Sequence, residues 1–170
     1  MSVEQEKVIG TAMLNPETCA TIDAWVAKFP AEHKRSALIQ SLYAAQTQNG
    51  GWLTTELIEA VAAYLDLPAV WAHEVVSFYS MLDAQPIGRH KVNVCTNISC
   101  WLNGADALLA RVERKLGIKT GETTADGRIT LVREEECLAA CVGAPMMVVD
   151  GHYHEHLDEH KVDAILDALD

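Results

Sequence analysis

Four of the five cysteines fall into two close pairs, Cys95-Thr-Asn-Ile-Ser-Cys100 and Cys137-Leu-Ala-Ala-Cys141, separated by a stretch that reads as helix then strand. A fold that uses these thiols together must bring two distant loops to one place. Gaps of four and three residues leave the backbone free to wrap around something bulkier than one ion, and four thiolates are the usual ligand set of iron–sulfur clusters. The spacing points first to a two-iron cluster. It leaves open a closed zinc site, for which four cysteines also suffice, although structural zinc sites more often keep about two residues within at least one pair. A thiol oxidoreductase ranks lower because its two-residue spacing at a helix start is absent. The plant-type ferredoxin grouping of three ligands in one loop is absent too.

The compartment strengthens the metal reading. The opening residues Met1 to Lys7 carry no basic cluster and no apolar run of signal-peptide length, and nothing later approaches about 20 consecutive apolar residues. The expectation is a soluble protein of the cytoplasm or a comparable reducing compartment, with no direct membrane insertion. There, paired cysteines serve as metal ligands or catalytic thiols rather than disulfides. A chain of 170 residues, 49% hydrophobic and 22% charged, has enough apolar material to fold without staples, as one domain or two small ones. Its formal charge of −11 argues against nucleic acid or an anionic membrane, which need a basic patch. Proteins are the expected partners, although acidity also serves solubility alone.

The period of the apolar residues changes near Pro86. Before it, Pro16 opens a helix ending near Phe29-Pro30, and a second runs from about His33 to Gln48 with Leu38, Ile39, Leu42 and Ala45 on one face. Gly50-Gly51 stops it. Thr54 caps a third helix carrying Leu57, Ile58, Val61 and Leu65, and Pro68 starts a fourth with Val70, Trp71, Val75 and Phe78. Four such faces are best buried against one another, as a helical bundle over residues 1–86. From residue 87 to 170 the order is different. A strand over His90–Cys95 is followed by a helix with the stripe Ala105, Leu108, Leu109, Val112 and Leu116, then a strand over Arg128–Arg133. Met146–Val149, the turn Asp150-Gly151 and His152–His154 form a hairpin, and Val162, Ile165, Leu166 and Leu169 mark a last helix. The class is α+β, and the order of the second half is that of a small thioredoxin-like sheet. A helical crossover makes the first two strands parallel, so Cys95 and Cys137 leave the sheet at the same edge.

Ser99 and Gly104 beside one pair, and Ala139, Ala140 and Gly143 beside the other, are small enough to let backbone amides approach the sulfurs and stabilise negative charge there. Cys19 reads as a small buried hydrophobe. His152, His154, His156 and His160 are closely spaced, and the first three share a face if the strand persists, but a solvated or partner-facing strand is the simpler account. Trp52, Trp71, Phe78, Tyr79 and Trp101 read as core or interface anchors.

Taken together, Phe78-Tyr79, Pro86-Ile-Gly88-Arg-His90, Val94-Cys95-x4-Cys100-x3-Gly104-Ala105, Gly127-Arg-Ile-Thr-Leu131 and Glu136-Cys137-Leu138-x2-Cys141-x3-Pro145 resemble the small iron–sulfur subunit of respiratory complex I, the family of its E, or 24 kDa, subunit. The resemblance runs from about residue 34 to the final helix. It implies a helical N-terminal region joined to a thioredoxin-like domain with one [2Fe-2S] cluster on Cys95, Cys100, Cys137 and Cys141. It also implies a flavoprotein partner that carries FMN and the NADH site, other complex I subunits beyond it, and a place on the cytoplasmic side of the inner membrane reached through the complex. A homodimer of the isolated chain through the same face stays open. The ten glycines contain no G-x-G-x-x-G, in keeping with nicotinamide being bound elsewhere. The rivals are the homologous subunit of a soluble NAD-linked formate dehydrogenase or bidirectional hydrogenase, a zinc-stabilised interaction module, and a free-standing ferredoxin. Thr96 to Gly104 looks more like the complex I versions. Where that family commonly has glycine after the leucine of the second motif, this chain has Ala139, and alanine predicts an ordinary negative φ there.

Overall fold

Asn15 accepts the Thr18 N–H at 2.7 Å and Pro16 supplies a preset φ, so helix α1 begins at Pro16 and runs to Val26. The computed structural model describes residues 12–134 and 136–170, with backbone alone at 133 and 134. The helix expected from His33 starts later. Residues Ala31–Ala37 wind as a 3-10 helix broken at His33 (φ −113°, ψ 23°), and α2 covers Leu38–Gln48. Here the apolar period begins only at Leu38, so the preceding polar residues have no face to bury in an α-helical turn. Thr54 caps α3 (Thr55–Tyr64) by accepting the Leu57 N–H at 3.1 Å, and Pro68 precedes α4 (Ala69–Phe78). Ile22, Leu38, Leu42, Leu53, Leu57 and Val61 form the buried centre between these helices. Gln46 pins the exit of the bundle, donating to the Met81 carbonyl at 3.1 Å and accepting from the Asp83 N–H at 2.8 Å.

The chain divides into two compact units, one ending at Pro86 and the other spanning Ile87–Asp170. In the second, β1 (His90–Cys95) pairs in parallel with β2 (Ile129–Glu134), placing Cys95 opposite Glu134. β3 (Met147–Val149) lies antiparallel on the other side of β1, and β4 (His152–His154) completes the sheet order β2-β1-β3-β4. Asp150 (φ 50°) and Gly151 (φ 82°) both take positive φ, which suits a two-residue hairpin turn whose twist matches its strands. Between β1 and β2 run α5 (Ile98–Leu102) and α6 (Ala105–Leu116). The buried stripe of α6, Ala105, Leu108, Leu109 and Val112, carries it, and Gly117 at φ 68° closes it. Asp158 caps α7 (Glu159–Asp167) by accepting the Lys161 N–H at 2.8 Å, and Val162 and Leu166 face inward. Val92, Val94, Ile129, Leu131, Met147 and Val149 provide the sheet's share of that core. The fold is α+β, with a mixed sheet that sends β1 and β2 to the same edge. Among the described residues no helix is long and apolar enough to cross a membrane.

Candidate metal centre

Cys95 is the last residue of β1, and Cys137 follows the end of β2, so the parallel pairing of these strands brings both cysteine loops to one end of the sheet. After Cys95 the chain turns at once into α5, too short for an apolar period to reveal, and this helix carries Cys100 inward. Cys95 and Cys100 are buried with Ala105, Ala140, Met146 and Val148 in a small cluster of their own, and the Cys95 N–H donates to the Met146 carbonyl at 3.3 Å. Cys137 and Cys141 are exposed, with their sulfurs 3.1 Å apart. The Ser99 hydroxyl donates to the Cys141 carbonyl at 3.3 Å, tying one cysteine loop to the other.

The backbone does approach sulfur. The Ala139 N–H donates to Cys137 Sγ at 3.4 Å, a contact that supports negative charge on that sulfur. Its geometry overturns one expectation: Ala139 sits at φ 63°, in the left-handed region, and not at an ordinary negative φ. The loop has three residues in which to double back from Cys137 to Cys141, and the turn is made at Ala139 despite its methyl group.

The four thiols are not alike. Burial, and then a hydrogen bond with Cys95, pushes the Cys100 thiol up to about 11. The thiol hydrogen bond from Cys141, then the Ala139 amide, holds Cys137 below the usual thiol range, and the same pairing, with burial, raises Cys141. Among the described residues no three His, Cys, Asp or Glu side chains converge on one point that would hold a single metal ion. The sulfurs instead stand as a buried pair and an exposed pair. Four thiols delivered by two loops to one end of the sheet are a donor set that suits a two-iron cluster.

The other residues singled out from the sequence lie apart from this arrangement. Cys19 is half-buried against the helical core. The histidine row is broken: β4 ends at His154, and His156 turns away at φ 49°, so the first three do not share a face. Trp52 and Trp71 are partly buried, and Phe78 and Trp101 are exposed. The Ala139 amide and the Met146 carbonyl have no signature of their own in the sequence, and only the small side chains of the second loop hint at them.

Residues 22–170 match the model of the family described as thioredoxin-like [2Fe-2S] ferredoxin. The E subunit of the NADH-quinone oxidoreductase of Rickettsia bellii is 44% identical over 144 residues, 85% of this chain and 86% of that protein. The mitochondrial NADH dehydrogenase (ubiquinone) flavoprotein 2 of Dictyostelium discoideum is 39% identical over 153 residues, 90% of this chain and 62% of that protein. Among solved structures, the air-oxidised NAD+-reducing [NiFe]-hydrogenase superposes with a TM-score of 0.62 at 24% identity, covering 74% of this chain and 22% of that one, a likeness of fold. With both cysteine pairs, the parallel strands that deliver them and most of its length inside the family match, the chain belongs to the thioredoxin-like [2Fe-2S] ferredoxins.

Proposed function

We propose that this chain is the small iron–sulfur subunit of the NADH-oxidising module of NADH:quinone oxidoreductase, with Cys95, Cys100, Cys137 and Cys141 as the ligands of its [2Fe-2S] cluster. The observation that carries the reading is the delivery of two cysteine pairs from two loops to one end of the sheet. When bound, such a cluster supplies one-electron transfer. The protein's own part is to present four deprotonated sulfurs, to keep Cys95 and Cys100 away from water, and to aim the Ala139 N–H at Cys137. FMN and NADH belong to a flavoprotein partner in this reading. Support for a protein partner comes from Ile98, Leu102 and Val142, which stand 64%, 70% and 93% exposed on the two cysteine loops. In the same reading the helical bundle is the domain expected over residues 1–86, of which residues 1–11 lie outside the described residues, residues 87–170 are the ferredoxin domain, and the complex works from the cytoplasmic side of the membrane.

The second reading is the equivalent subunit of an NAD-linked hydrogenase, favoured by the likeness to the hydrogenase fold. It ranks behind because the Rickettsia bellii relative is closer in sequence, at 44% against 24% identity. Electron paramagnetic resonance on anaerobically purified protein tests the cluster. A half-spin signal appearing only after dithionite is expected, lost in Cys137→Ser because an alkoxide is a harder and poorer ligand, and kept in Cys19→Ser. Silence in both states, with zinc in place of iron, would overturn the proposal. Pull-down of a flavoprotein that oxidises NADH, against one accompanied by a nickel subunit, separates the two assemblies.

A further inference from the structure

The two cysteine pairs differ in access. Cys95 and Cys100 are 1% and 2% exposed, whereas Cys137 and Cys141 are open to solvent with their sulfurs 3.1 Å apart. A disulfide needs a sulfur separation of about 2.05 Å, so closing this pair takes a movement of about 1 Å in a loop already folded back on itself. We propose that Cys137 and Cys141 are an oxidative modification site: before a cluster is inserted, a low-molecular-weight disulfide of the glutathione class converts them to an intramolecular disulfide that blocks cluster loading. This rests on the reading of the four cysteines as the ligand set.

The chemistry is thiol–disulfide exchange in two steps. Cys137 sulfur, the one that accepts the Ala139 N–H, attacks the small disulfide, forming a mixed disulfide and expelling one small thiolate. Cys141 sulfur then attacks the Cys137 sulfur of that mixed bond and expels the second small thiol. Two protein thiols are oxidised to one disulfide and one small disulfide is reduced to two thiols, with the two protons passing to the released thiols. Proximity of Cys141 makes the second step intramolecular and therefore short-lived in its mixed stage. The buried pair and half-buried Cys19 do not compete, because exchange follows access as well as thiolate character. An exposed, easily reached disulfide of this kind is reopened by the reducing cytosol, so the modification reports a shift in thiol balance and reverses with it.

The full chain, stripped of metal with a chelator and reduced, then exposed to glutathione disulfide without oxygen, provides the test. Intact mass is expected to fall by two hydrogen atoms with no glutathione retained, and peptide mapping to join Cys137 to Cys141. Iron and sulfide uptake by that oxidised chain should be lost and then restored by dithiothreitol. In Cys141→Ser, glutathione should remain attached at Cys137, since the resolving sulfur is gone. A stable glutathione adduct on the wild type, a bridge involving Cys95 or Cys100, or no reaction at all would overturn the proposal. Uptake by the never-oxidised chain is measured alongside. Its failure to load would count against the ligand reading, while the mass and mapping results judge the disulfide separately.

Discussion

At the scale of single residues, the centre depends on an alanine in a conformation that suits glycine. Ala139 at φ 63° makes the Cβ–carbonyl crowding that costs about 1–2 kcal/mol for an L-residue, and it does so where its N–H must reach Cys137 Sγ. Ala139→Gly relieves this strain but gives the unfolded chain more freedom, so a net stabilisation of about 0.5–1 kcal/mol is expected. Chemical denaturation of the two proteins at equal cluster content measures it, and an unchanged or lowered midpoint would contradict the strain. The four cysteines are legible because their spacing is a property of the sequence itself. The backbone turn between two of them is not, because alanine's own preference points the other way and only closure of the loop onto both sulfurs overrides it.

At the scale of elements, strands and long helices are legible wherever one face is buried along a continuous run. The alternation over His90–Cys95 marks that strand at its full extent, and the apolar stripe on α6 coincides with its buried face. Short pieces escape. Helix α5 has five residues and the 3-10 stretch before α2 is polar, so neither has a period to detect. Close approaches between elements escape as well. Gly88 donates its N–H to Thr130 Oγ1 at 2.6 Å, and a Cβ at that position would meet the Arg128 carbonyl carbon and oxygen and the Ile129 nitrogen at 3.0 Å. Those atoms are backbone and cannot rotate away. Gly88→Ala therefore pushes the entry to β1 off β2, and a loss of about 1–3 kcal/mol is expected, as for other overpacked sites. Equilibrium unfolding followed by far-ultraviolet circular dichroism would register the shift; wild-type stability in this variant would mean that the entry segment yields freely.

At the scale of the whole molecule, the unit from Ile87 to Asp170 is fastened at both ends of β1, by cysteines at one end and by a charged clasp at the other. His90 begins β1; its Nδ1 lies 2.6 Å from Asp150 Oδ2 in the β3–β4 turn, and its Nε2 lies 3.1 Å from the Asp170 carbonyl. The Lys91 N–H donates to the other Asp150 oxygen at 2.8 Å, and Arg128 donates to the Leu169 carbonyl at 2.8 Å. The Asp150 hydrogen bond is the main cause of a raised His90 pKa, which the attraction of Asp150 reinforces and burial opposes. A histidine that binds its proton more tightly folded than unfolded adds stability that is complete below its unfolded pKa of about 6.5 and vanishes as pH rises through the higher folded value. The effect is modest, since both carboxylates are open to solvent. Metal ligation runs the other way, because sulfur must shed its proton and Cys100 holds its own up to about 11. Acid therefore tightens the clasp while it hinders loading of the centre. In metal-free, reduced protein, amide exchange at Val92, Val94 and Val148 should slow in the wild type relative to His90→Gln at about pH 5.5, and the difference should shrink by about pH 8.5. A difference that is constant with pH would show that His90 contributes by packing alone.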